Sequence, residues 1–199
     1  EPASQNRVGF SLGDYNPAYT LSIGPSYQWH TFMGCEGDDY ARGIAVDDGG
    51  NLYVAGTSDE SWDGPESTPP LNPYVEEDDD IVVLKLNSSG TYQWHTFMGA
   101  GDADDGGNDI ALDESGNVYV IGNSDTSWNG PGSTAPLNAY VGNKNIVIIK
   151  LNSNGVYQWH TFMNTGDENY GISSIAASGS GNVYVAGDSL DWDAPGPTA

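Results

Sequence analysis

Basic residues are almost missing from this chain: five lysines and arginines face 28 acids, a formal net charge of −23 over 199 residues. A phosphate backbone would be repelled by most of such a surface, which excludes nucleic acid as a partner. Cysteine occurs once, at Cys35, so neither an internal disulfide nor a thiolate zinc cluster can form. No apolar run approaches the roughly 20 residues that cross a bilayer, and no basic segment with an apolar core stands at Glu1, Pro2 and Ala3. Membrane insertion is therefore not expected. Long stretches free of helix breakers are scarce too, since 27 glycines and 11 prolines punctuate the chain. That is too many for a helical bundle, without the period of collagen, and it fits short strands joined by tight turns. With 37% hydrophobic and 11% aromatic residues, enough apolar material remains for a shared core.

What the chain does contain is repetition. The heptapeptide YQWHTFM starts at Tyr27, Tyr92 and Tyr157, a period of 65 residues. NLYVAG at Asn51 returns as NVYVIG at Asn117 and NVYVAG at Asn182, and SWDGP at Ser61 returns as SWNGP at Ser127 and loosely as DWDAP at Asp191. The organisation read from this is a lead-in with strands over residues 1–26, repeats over 27–91 and 92–156, and a partial repeat over 157–199.

Each repeat spells four strands. Ile44 to Val46 turns through Asp47, Asp48, Gly49 and Gly50 into Leu52 to Ala55, and Ile81 to Leu86 turns through Asn87, Ser88, Ser89 and Gly90 into Tyr92 to Met98. An Asp or Asn that opens a turn and a Gly that closes it at positive φ are hairpin chemistry. Between the hairpins, 57–80 and 123–145 are rich in Ser, Asp, Gly and Pro and read as ordered loops anchored by Trp62 and Trp128. Both alternating sets in YQWHTFM are bulky, so neither face of that strand is wet, as in sheets stacked face to face around an axis. The expected fold is all-β, with four-stranded antiparallel blades of the β-propeller type in three repeat equivalents. Tyr19 to Met33 is expected to supply a third and fourth strand, and Ile175 to Ala186 a first and second. That makes twelve strands, or three blades, fewer than the four to eight usual for propellers.

The motifs GDDYARGIAVDDGGNLYVAG, IVVLKLNSSG and WHTFMG resemble the bacterial seven-bladed β-propeller repeat family, abbreviated SBBP, and the stretch from Val8 to Pro25 resembles the lead-in before a first blade. Ser178 departs from the pattern, standing where Asp47 and Asp113 open the turn. The resemblance implies a secreted or surface-exposed prokaryotic protein and brings no general catalytic activity with it.

Candidate sites divide by chemistry. His30, His95 and His160 recur at one point of each blade, and a catalytic centre needs one asymmetric constellation, so a structural role is expected and enzymatic activity is not. Asp38, Asp39, Glu77, Asp78, Asp79, Asp80, Asp104 and Asp105 place hard oxygen ligands in loops, which suits Ca²⁺; the alternative is a solvated acidic surface. Trp62, Trp128 and Trp192 lie beside Gly and Pro, where an indole can stack on a glycan or plug the loop onto its own blade, the preferred reading. Asn87, Ser88 and Ser89 form an N-glycosylation triplet. The leading expectation is a non-enzymatic extracellular structural protein that builds a surface layer, stalk or filament by self-association through its terminal strands. A glycan- or peptide-binding module, or a piece of a larger secreted adhesin or enzyme, are the alternatives.

Overall fold

The turn that opens each repeat is closed by its own side chains. Asp47 Oδ1 accepts the Asn51 N–H at 2.9 Å, the Tyr53 hydroxyl donates to Asp47 Oδ2 at 3.2 Å, and Gly50 takes φ +77°. Asp113, Asn117, Tyr119 and Gly116 repeat the arrangement, and Ser178 Oγ accepts the Asn182 N–H at 3.1 Å in the third copy. In the computed structural model, which describes residues 28–75, 78–101, 103–164 and 172–187, these turns join strands into two complete sheets and a hairpin.

Blade 1 holds β1 (Asp39–Val46), β2 (Leu52–Ser58), β3 (Asp80–Leu86) and β4 (Tyr92–Met98) in that spatial order, all antiparallel. Blade 2 repeats it with β5 (Asp105–Leu112), β6 (Val118–Ser124), β7 (Asn145–Leu151) and β8 (Tyr157–Asn164). A third sheet pairs β9 (Ile172–Ala177) with β10 (Val183–Gly187). Among the described residues, no helix is long and apolar enough to cross a membrane.

The blades stack face to face. Tyr53, Ala55, Ile81, Val83 and Trp94 of blade 1 share one buried cluster with Ile110, Val118, Val120, Val147 and Ile149 of blade 2. The opposite face of blade 2, with Tyr119, Ile121, Ile146 and Ile148, packs under Ile175, Val183 and Val185 of the hairpin. Each of the two seams removes a continuous apolar area from water, which is the main favourable term in such an array.

The long loops lie down along the outermost strands. Leu71 N–H donates to His95 O at 2.9 Å and Phe97 N–H to Asn72 O at 3.2 Å, while Asn72 Nδ2 donates to Thr96 Oγ1 at 2.8 Å. Leu137 and Asn138 make the same bonds to β8. The loop thus acts as a strap over an edge that would otherwise offer unpaired backbone groups.

One expectation is corrected. Gln28 to Met33, expected as part of a fourth strand, is not a strand, although the same heptapeptide forms β4 and β8. Strand formation needs a partner, and β4 and β8 have β3 and β7. The rest of the expected lead-in, over 1–26, lies outside the described residues, as do Glu77 and Trp192.

Candidate functional site

The recurring aromatic residues assemble into one bracket per blade. The Trp62 indole stacks on His95 with centroids 3.9 Å apart and 4° between planes, and Phe97 meets Trp62 edge-on at 5.7 Å. His95 Nε2–H donates to Trp62 O at 3.0 Å, which leaves Nδ1 to accept the Tyr92 hydroxyl at 2.8 Å. Trp128, His160, Phe162 and Tyr157 repeat the bracket, with a 4.0 Å stack at 8° and hydrogen bonds of 3.2 Å and 2.6 Å. Both indoles are buried, and each has a ring face covered by an imidazole, so neither is presented as a platform for a sugar. This is the plug arrangement.

Burial pushes the His95 and His160 imidazoles below their ordinary pKa, only partly offset by their bonds to the Trp62 and Trp128 carbonyls. The unfolded chain takes up protons near pH 6.5 that the folded chain declines, so this contribution is complete above pH 6.5 and fades as the pH falls below it. An NMR-monitored pH titration is expected to find both rings taking up their second proton below the ordinary histidine range, with the proton of the neutral ring on Nε2; titration at or above that range would contradict the bracket.

A second repeated device links blades. Gly155 turns at φ +77°, and a Cβ there would lie 2.5 Å from Leu71 Cδ1 and 2.8 Å from the Trp94 ring. Gly90, at φ +79°, receives Trp29 in the same way, with ring atoms 2.6 Å from the Cβ position, and Trp29 Nε1 donates to Ser88 O at 3.3 Å. Lys85 also crosses the seam: its Nζ donates to Ser153 O at 3.1 Å and lies 4.8 Å from the Tyr53 ring centroid.

The acids do not gather as one group. Among the described residues, no three His, Cys, Asp or Glu side chains are placed to hold a metal together. Asp38, Asp78 and Asp104 are exposed, Asp79 is half-buried, and Asp39 Oδ2 accepts the Cys35 N–H at 2.7 Å. Asp80 and Asp105 differ from all of these, because both are fully buried where β3 and β5 begin. Burial drives the Asp80 carboxyl up to about 7, against a hydrogen bond from Val75 and with help from the Asp105 and Asp79 charges. Burial drives Asp105 up to about 7 as well, against contacts with Ser124, Ala100 and Trp128. Asn87 is half-buried and its Oδ1 accepts the Ser89 and Thr91 N–H groups at 3.0 and 2.9 Å. Asn152, which lacks the glycosylation triplet, clasps its own turn identically.

A family model described as the SBBP beta-propeller repeat matches residues 28–61 and 93–127. The chain carries SBBP repeats. No curated protein matches it. In the second SBBP match the residues run from β4 across the seam through β5 and β6, so the matched unit is a junction between blades rather than one blade. Each match stops one residue short of the bracket tryptophan, Trp62 or Trp128, so the SBBP pattern covers the hairpin but not the plug.

Proposed function

We propose that this SBBP protein is a non-enzymatic structural component of the prokaryotic extracellular space, which builds a surface layer, stalk or filament by stacking its blades on those of further copies. The observation that carries this reading is the unequal covering of equivalent faces. Ile110 in β5 is 4% exposed beneath blade 1, whereas Ile44, its counterpart in β1, is 64% exposed and its neighbour Val46 is 60% exposed. An apolar sheet face of this kind is uncommon on a free monomer and matches the seam that already joins blade 1 to blade 2. The occupant is a second copy, presenting the outer side of its β9–β10 hairpin, where Tyr184 is 62% exposed. Like-charged acidic surfaces repel, so the contact has to be apolar. Among the described residues β10 pairs with β9 alone, and self-association through terminal strands would add the N-terminal lead-in of a further copy at that end. The His95 and His160 imidazoles and the Trp62 and Trp128 indoles are taken up by the brackets.

Light scattering and electron microscopy of the purified chain test this. Assemblies that grow with concentration are expected, and the double substitution Ile44→Asp, Val46→Asp should return single chains with unchanged circular dichroism. Deleting residues 1–26 separates strand donation from face stacking, since only the former loses assembly. A wild-type chain that stays monomeric at high concentration would overturn the proposal.

A further inference from the structure

The two complete blades begin their third strand with different residues at one place. Asn145 opens β7 opposite Ser124, and Asp80 opens β3 opposite Ser58. Asn145 is neutral and uses both side-chain atoms: Nδ2 donates to Val141 O at 2.7 Å and Oδ1 accepts the Val141 N–H at 3.3 Å. An amide therefore suffices to anchor the loop. Asp80 keeps only half of that arrangement. Its Oδ2 accepts the Val75 N–H at 2.7 Å, while Oδ1, on a residue with 0% exposure, has no hydrogen-bond partner. A buried carboxylate oxygen left without a partner is costly, and nothing in the loop requires it.

That oxygen is aimed into the seam. A Cβ on Gly99 would lie 2.1 Å from Asp80 Oδ1 and 2.8 Å from Asp105 Oδ2, so oxygens of two carboxylates from neighbouring blades converge on the space that a missing side chain leaves. Asp105 is also 0% exposed, and its Oδ2 accepts the Ala100 N–H at 2.8 Å. The Asp105 N–H donates to Asp79 O at 2.8 Å, which ties the two strand starts together and keeps the carboxylates from moving apart. Around them the field is negative: Asp79 is raised first by burial and then by Asp104, Asp59 and Asp78, with Arg42 as an opposing charge.

We propose that Asp80 and Asp105 bind one hard divalent cation between the first two blades, in the space opened by Gly99. Ca²⁺ is the ion whose demands fit. It accepts carboxylate, backbone carbonyl and water oxygens in an irregular shell, whereas Mg²⁺ needs a tight octahedron and gives up its waters reluctantly. Bound there, the ion satisfies Asp80 Oδ1, removes the repulsion between the carboxylates and cross-links the starts of β3 and β5. The site is specific to this seam, because Asn145 removes one of the two carboxylates from the next.

The test uses the full chain, stripped with EDTA and dialysed at fixed ionic strength. CaCl₂ should raise Tm by several degrees and MgCl₂ by much less, as expected for a ligand that binds only the folded state. Tb³⁺ added instead should luminesce when excited through tryptophan, since Trp128 lies beside Asp105. Asp80→Asn copies the residue found at 145, so it should fold, with a Tm in EDTA at or above that of the wild type, and should lose both the Ca²⁺ shift and the Tb³⁺ signal. Gly99→Ala, which fills the space with a methyl group, should lose them as well and serves if Asp80→Asn fails to fold. A wild-type Tm that Ca²⁺ does not move would overturn the proposal. So would an undiminished shift in folded Asp80→Asn, which would assign the ion to surface acids.

Discussion

Replacing Trp128 by Ala is expected to cost about 3–5 kcal/mol of folding stability, read from the midpoint of urea denaturation. The indole is 6% exposed, lies flat on His160, meets the edge of Phe162 and donates Nε1–H to Ser124 Oγ at 3.2 Å. Removing it leaves a cavity between the strap and β8, uncovers the neutral imidazole and releases the residues that Trp128 holds in place. Trp128→Phe keeps most of the volume and should cost appreciably less. The effects of Trp128→Ala and His160→Ala should not add, since each removes the same stack. A loss below about 1 kcal/mol for Trp128→Ala would mean that the loop is ordered by something other than the bracket.

Gly155→Ala should be nearly as damaging, for a different reason. A non-glycine residue at φ +77° costs about 1–2 kcal/mol, and the new methyl would stand 2.5 Å from Leu71 Cδ1 and 2.8 Å from the Trp94 ring, adding about 1–3 kcal/mol of overpacking. Gly132 provides the comparison. It takes φ +69° with nothing within 4 Å of its Cβ position, and its counterpart in blade 1 is Glu66 at φ 59°, so Gly132→Ala meets the backbone cost alone. The difference between the two variants measures the contact between blades. Equal losses would show that Trp94 does not bear on the turn, and tryptophan emission should shift to the red only in Gly155→Ala.

Much of this fold is legible in the chain because its turns are chemically explicit. Asp47 with Gly50, and Asn87 with Gly90, mark the hairpins of blade 1, and their counterparts at 113, 116, 152 and 155 mark those of blade 2. The strap is not legible, because Leu71 and Asn72 bind β4 mainly through backbone groups, which leave no pattern of side chains. YQWHTFM shows a second limit: the same seven residues form β4 and β8, yet 28–33 is not a strand, since pairing belongs to the neighbours rather than to the segment. The stack of Trp62 on His95 joins residues 33 positions apart, and its only trace in the sequence is that both types recur in step. Asp80 is legible only in part. The sequence offers it as one of eight acids suited to Ca²⁺ without separating it from the others, and its alignment with Asn145, 65 residues on, marks it as a buried anchor that carries an unneeded charge.

The indole resting on a glycine turn has a bearing on how such a chain changes over generations. Trp29 on Gly90 and Trp94 on Gly155 are the same contact displaced by one period, and each needs only a Trp near the start of a 65-residue repeat and a Gly in the turn near its end. Duplication of a 65-residue cassette therefore supplies a complete junction without redesigning any existing one, and deletion of a cassette heals in the same way. Stability rises by a near-constant increment for each inserted unit, and damage to one junction is felt mainly by its two neighbours. Copy number becomes a quantity that recombination can vary freely, while point mutation acts chiefly on what a single junction carries, such as the charge at position 80.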